Sequence, residues 1–225
     1  MYRSAGWPSL DIVEIELLAA GLLKRTNSTA VDVVRVTDAG IQYLAAAANN
    51  NRKAFNAHQA LVDQISQIMQ RDGRIVWTEL SLRAWIAPEI EGEKGKWKMC
   101  RPDVFSIRNS SKQEYLEPIV HETKVSRADL LGDLKNCDKR KAYLDIGGQC
   151  WYALGADAKG RAIGEPDEIP VECGVMFCKE GKVEVLRAAQ KRMAKQLPFS
   201  VWMALAKTVP QHRLDLDDES PQDSF

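Results

Sequence analysis

Two short runs in this chain combine residue types and spacing that can do chemistry: Arg101-Pro102-Asp103 and Glu122-Thr123-Lys124. The two carboxylates stand nineteen positions apart (122 minus 103). Residues 99–108 and 117–125 read as strands joined by the polar loop Asn109–Leu116. Side chains alternate along a strand, so Glu122 and Lys124 share one face and Thr123 takes the other. A hairpin would bring Asp103 to that pair. Two carboxylates suit Mg²⁺, a hard cation that wants oxygen ligands and keeps several waters. Such an ion polarises a phosphate oxygen and activates a bound water. A lysine one pleat away orients that water or balances developing charge.

The elements that must position these residues follow in order. Phe55, His58, Leu61, Val62, Ile65, Ile68 and Met69 fall at helical spacing and predict a core-facing helix that stops at Asp72-Gly73. Its one acid is Asp63. His58 on the same helix either approaches the site or serves the core. Arg74–Leu82 reads as a strand, and Trp85–Trp97 as a polar hairpin or loop. After Lys124, Ser126-Arg127-Ala128-Asp129 fits a capping box that starts one charged helix ending at Gly147-Gly148. Gln149–Leu154 reads as a buried strand, Val171–Cys178 and Lys182–Leu186 as two more, and Ala188–Leu197 and Phe199–Thr208 as helices parted by Pro198.

Pro102-Asp103 and Glu122-Thr123-Lys124 resemble the signature of the PD-(D/E)XK nuclease superfamily. In that family a helix and three strands precede a second helix and a further strand. The run HETKVSRADLLGDLKNCDKRKAYLDIGGQCWYAL is similar to its MmcB-like DNA-repair branch, as is the later EIPVECGVMFCKEGKVEVLRAA. The resemblance covers roughly residues 52–190. It implies Asp103 and Glu122 as ligands of Mg²⁺ or Mn²⁺, Lys124 as the residue that orients water, and Glu79 as a third acid. Lys135 and Tyr143 match the lysine and tyrosine of the branch pattern, and with Arg101 they are the expected substrate contacts.

Residues 1–50 read separately. Ser9 caps an amphipathic helix that Gly21 ends, Val31–Val36 forms a short strand, and Thr37 caps a helix over Ile41–Ala48. The pattern resembles the back half of a winged helix-turn-helix. The first helix carries Asp11, Glu14 and Glu16 with no basic residue before Lys24, which suits a protein contact better than a DNA groove. Asn49-Asn50-Asn51 reads as the boundary between modules.

Composition bounds the rest. The chain has 225 residues, 31 basic and 31 acidic, and no net charge, so it lacks the global basic footprint of many nucleic-acid binders. No apolar run approaches the roughly 18 residues that would span a bilayer, and a soluble, cytoplasmic protein is expected. Five cysteines without C-x₂-C spacing read as reduced, mostly buried thiols.

The expected fold is therefore α/β, a restriction-endonuclease-like mixed sheet flanked by helices behind a small winged-helix-like module. Expected domains are that module (1–50), the nuclease-like domain (52–190), a C-terminal helix (191–213) and an acidic disordered tail (214–225). The expected function is metal-dependent hydrolysis of phosphodiesters in DNA, tied to repair, defence or mobile elements. The alternative is a non-catalytic DNA- or protein-binding regulator that keeps the fold. Expected partners are DNA and, through residues 1–50, a second copy or another protein, with no membrane.

Overall fold

A computed structural model describes residues 12–28, 31–88, 94–192 and 197–211. The chain divides into two compact units, Met1–Asn56 and Ala57–Phe225. In the first, helix α1 (Ile12–Ala19) leads to an antiparallel hairpin of β1 (Leu23–Ser28) and β2 (Val31–Val36). Helix α2 (Asp38–Arg71) follows. Thr37 caps it as expected, its hydroxyl accepting from Gly40 N at 3.0 Å. Ser9 and Asp11 lie outside the described residues. The Asn49–Asn51 run does not interrupt α2. Asparagine disfavours a helix interior only weakly, and neither glycine nor proline lies between Ile41 and Arg71 to stop it.

The second unit is built on a six-stranded mixed sheet. Its strands are β3 (Arg74–Thr78), β6 (Val104–Arg108), β7 (Ile119–Lys124), β8 (Gln149–Leu154), β9 (Gly174–Lys179) and β10 (Lys182–Arg187), in the order β10-β9-β8-β7-β6-β3. Pairing is antiparallel from β3 through β6 to β7, parallel from β7 through β8 to β9, and antiparallel again at β10. A separate hairpin of β4 (Leu82–Ile86) and β5 (Lys96–Cys100) pairs with itself alone.

Two expected strands are broken in a way that matters. The run 74–82 ends at Thr78, and Glu79 takes a positive φ of 53° that turns the chain out of the sheet. The run 99–108 breaks between Cys100 and Val104, where Pro102 has no N–H for a ladder. Glu79 N donates to Asp103 O at 3.2 Å, so the two breaks face each other.

Apolar cores fill both faces of the sheet. On one face Leu61, Val62, Ile65 and Met69 of α2 pack on Val76, Val104, Ala153 and Met176. On the other, helices α3 (Arg127–Leu134), α4 (Cys137–Ile146) and α5 (Phe199–Ala206) contribute Leu130, Tyr143, Ile146 and Val201 to a core with Phe105, Val120, Tyr152 and Leu154. The expected single charged helix after Lys124 is two helices. Ser126 caps α3, accepting from Asp129 N at 3.2 Å, and Asn136 restarts the turn by accepting from Lys139 N at 3.2 Å. Cys178 of β9 lies in the first core, and Cys173, in the bend just before β9, lies in the second. Residues 188–192 are not helical, because Arg192 N bonds Gly148 O at 2.9 Å beside the sheet. The acidic stretch from residue 214 lies outside the described residues.

Candidate active site

The last paired residues of β6 and β7 are Val104 and His121, so Asp103 stands opposite the Glu122-Thr123-Lys124 run. Alternation along β7 then sorts the groups around it. Val120 belongs to the α3–α4 core, and Glu122 and Lys124 follow it onto that side. His121 and Thr123 point to the α2 side.

On the α2 side the groups are uncharged or singly charged. Asp103 Oδ2 accepts from Thr123 N at 2.6 Å and from Thr123 Oγ1 at 2.9 Å. Thr123 Oγ1 also lies 2.9 Å from His58 Nε2, which is 3.4 Å from Asp103 Oδ2. A hydroxyl has one proton to give, and Asp103 takes it, so His58 donates from Nε2. His121, one pleat below, is buried, and its Nδ1 lacks a hydrogen-bond partner. Burial, then the positive charge of Arg74, pushes its pKa down to about 3. Arg74 is itself held by Ser106 Oγ at 2.9 Å and Ser106 O at 3.2 Å.

On the α3–α4 side the charges crowd. Lys124 Nζ donates to Glu122 Oε1 at 2.8 Å, and Lys139 Nζ donates to the same oxygen. Lys139 also reaches Asp133 Oδ1 at 2.6 Å, with Lys124 Nζ 3.7 Å from that atom and 3.6 Å from Asp129 Oδ2. Tyr152 OH donates to Asp133 Oδ2 at 2.8 Å. Glu122 and Lys124 are both buried. Removing charges from water is costly, and only this mutual pairing makes the burial tolerable. Burial and then the Asp103 charge raise the Glu122 pKa, against the pull of the two lysines. Burial works to lower the pKa of Lys124, but Glu122 and Asp133 outweigh it and hold the ammonium charged. For Asp133 burial works upward, yet Lys139, Lys124 and Tyr152 together bring the pKa down.

Two neighbouring buried oxygens here are left without a well-formed hydrogen bond. Glu122 Oε2 is buried and makes no hydrogen bond. The Tyr143 hydroxyl is buried beside Glu122, also without a well-formed hydrogen bond, and its ring lies 5.4 Å from Lys139 Nζ. Burial and then Glu122's charge push the Tyr143 pKa up and keep the phenol neutral.

The expected residues thus separate. Asp103, Glu122 and Lys124 come to one end of β7, although Asp103 directs Oδ2 to Thr123 and His58 while Glu122 serves the lysines. Glu79 does not join them. It is exposed on the turn after β3 and pairs with Arg101, Nη2 to Oε2 at 2.8 Å. Arg101 is equally exposed and occupied by that pair. Lys135 is exposed at the end of α3, and Tyr143 is buried rather than presented to solvent. Asp63 lies on the outer face of α2 and accepts from Gln59 at 2.9 Å. Sequence reasoning missed Lys139, Asp133 and Tyr152. The parallel register Glu122↔Tyr152 would have found the last. The break between α3 and α4, which decides that Lys139 and not Lys135 turns inward, has no signature beyond Asn136.

Among the described residues no three His, Cys, Asp or Glu side chains gather as a metal cluster. A divalent ion here would rest on two carboxylates and complete its shell with water, as Mg²⁺ commonly does. The unpartnered Glu122 Oε2 fits that use. No known family matches the chain, and no curated protein matches it. Among solved structures a protein of unknown function from Silicibacter pomeroyi is similar, with 22% identity over 67% of this chain and 82% of that chain and a TM-score of 0.43.

Proposed function

We propose that the chain is a divalent-metal-dependent nuclease of the PD-(D/E)XK type, acting on DNA, with a restriction-endonuclease-like second unit. The observation that carries this reading is Glu122 Oε2, a buried carboxylate oxygen without a well-formed hydrogen bond, in a side chain set beside the Tyr143 hydroxyl and in the field of Asp103. The element order supports it. Helix α2, the antiparallel run β3-β6-β7, two helices and the parallel strand β8 follow the order given above for the family, with β4–β5 as an insertion. An ion held by Asp103 and Glu122 supplies a polarised phosphate and a water of lowered pKa. Lys124 places positive charge beside that water, and Lys139 pulls against the burial that raises the Glu122 pKa. Thr123 and His58 hold the Asp103 carboxylate in orientation from the other side. The first unit, a helix, a hairpin and a closing helix, is read as a winged-helix-like module used for protein contact.

The test is cleavage of single-stranded, nicked and branched DNA with Mg²⁺ or Mn²⁺. Wild type is expected to cut, and Asp103→Ala and Glu122→Gln each to lose at least about 100-fold. A wild type that cuts none of these, or variants that match it, overturns the proposal.

A second reading has its own observation. Glu122 Oε1 already has two ammonium partners, and a site neutralised from within suits a protein that keeps the fold for binding alone. Calorimetry with Mn²⁺ separates the two. Heat of binding that vanishes in Glu122→Gln supports the nuclease, and no heat in wild type supports the binding protein.

A further inference from the structure

Alternation divides the β4–β5 hairpin into two unlike faces. Leu82, Ala84, Ile86 and Cys100 are buried in the core that α3, α4 and α5 share. The opposite face carries Arg83 and Trp85 on β4, paired across with Met99 and Trp97 on β5. All four are exposed, the two indoles at 44% and 51%. Two tryptophans side by side in water forgo a large hydrophobic gain.

The rings are held in place. Trp85 and Trp97 meet edge to face, with centroids 5.2 Å apart and planes at 66°, and the Arg83 guanidinium lies 4.9 Å over Trp97. Gly95 gives Trp85 its room, since a Cβ there would run into the indole. The neck of the hairpin is fixed as well. Arg101 Nε donates to Glu79 O at 3.0 Å, and Arg101 Nη2 donates to Glu79 Oε2 at 2.8 Å. An aromatic surface set in advance loses little freedom when a ligand arrives.

Charge says what the surface suits. Among the described residues 80–88 and 94–102 the hairpin carries Arg83, Lys94, Lys96, Lys98 and Arg101 and no acid. Glu89, Glu91 and Glu93, in the loop between its strands, lie outside the described residues. Lys96 is held by Asp138 and Arg101 by Glu79, which leaves Arg83, Lys94 and Lys98. Lysine is depleted at the centre of protein interfaces, yet Lys96 and Lys98 flank Trp97 in sequence. Aromatic faces among cations fit a single-stranded nucleic acid, whose bases stack on the rings while its phosphates meet the charges. A duplex keeps its base faces stacked on one another and has none to offer.

We infer that the outer face of the β4–β5 hairpin binds single-stranded DNA, stacking bases on Trp85 and Trp97 with Arg83 among the phosphates. Six residues (103 minus 97) part Trp97 from Asp103, at most about 20 Å of chain. A strand held on the rings is therefore delivered towards the candidate carboxylates. That delivery rests on the proposed nuclease reading, whereas the stacking does not.

The test is fluorescence anisotropy of a labelled single strand of about twelve nucleotides with the full chain, in EDTA so that no cleavage intervenes. Companion probes are the same sequence as a blunt duplex and the same strand with abasic sites at its centre. Wild type is expected to hold the single strand at least about tenfold more tightly than either. Trp85→Ala and Trp97→Ala are each expected to weaken it at least about fivefold, and Trp97→Phe to keep most of the affinity. Should the alanine variants lose their sheet signal in circular dichroism, Arg83→Glu decides, with an expected loss of at least about tenfold. A wild type that binds no single strand leaves the face to a protein and overturns the inference. Equal binding of the duplex or the abasic strand overturns it too, as do folded variants that match wild type. Cleavage lost with binding intact counts against the nuclease reading alone, and binding lost with cleavage intact counts against this inference alone.

Discussion

The two faces of β7 carry the same chemistry at opposite prices. Towards α2, Asp103, Thr123 and His58 form a short chain of hydrogen bonds with one fixed negative charge, and His121 below them is kept neutral. Towards α3 and α4, Glu122, Asp133, Lys124 and Lys139 form a knot of four charges, two of each sign. One strand, alternating by one residue, holds both. The contrast teaches that a buried charge is tolerated where its counter-charges come from several elements, here β7, α3 and α4. Where no counter-charge is at hand, the titratable group gives up its proton instead.

The largest effect should come from breaking the charged face. Lys124→Ala leaves Glu122 short of one of its two ammonium partners, and urea unfolding should show a loss of about 3–5 kcal/mol. A loss under about 1 kcal/mol would mean that Lys139 alone neutralises the knot.

The neutral face should announce itself in acid. His121 has a folded pKa of about 3 against an ordinary 6.5, so between these values the unfolded chain binds the extra proton. Its stability contribution is complete above about 6.5 and is lost as pH falls towards 3, with a slope of at most about 1.4 kcal/mol per pH unit. His121→Asn should flatten that slope while Lys124→Ala should not. Asp133, with its pKa lowered, adds a further loss below the usual carboxylate range from the charged face.

Smaller still is the joint between the faces. Thr123→Val removes the hydroxyl that bonds Asp103 and His58, an expected cost of about 1–2 kcal/mol by thermal unfolding. Thr123→Ser should restore most of it. Last, Glu79 holds a left-handed backbone and an exposed ion pair with Arg101. Glu79→Gly should change stability by under about 1 kcal/mol, in the stabilising direction, because relief of the backbone outweighs an exposed pair. A marked loss instead would show that the turn depends on the pair.

Period and caps were legible where burial is one-sided. The strand over residues 119–124, the buried strand after Gly148, the caps at Thr37 and Ser126 and the core positions of α2 all follow from local pattern. Breaks were not. Asn49–Asn51 continue a helix rather than break it, although the two units do part only a few residues on, between Asn56 and Ala57. Residues 74–82 looked like one strand, yet the chain leaves the sheet at Glu79, where the backbone takes a positive φ. Residues 188–192 looked helical, but they are not, and Arg192 N bonds Gly148 O instead.

By itself the sequence determined which residues share a face. Alternation along β7 puts Glu122 beside Lys124, and the helical period of α2 puts Ile41, Leu44 and Phe55 in line, because both patterns are properties of a single element's repeat. Only the tertiary structure decided which groups from different elements meet. That Lys139 rather than Lys135 clasps Glu122, that Asp103 turns one oxygen to Thr123 and His58, and that Glu79 stays with Arg101 depend on where α3 ends and how strands register. Those contacts join residues that no local repeat relates, so the chain's own periodicity carries no trace of them.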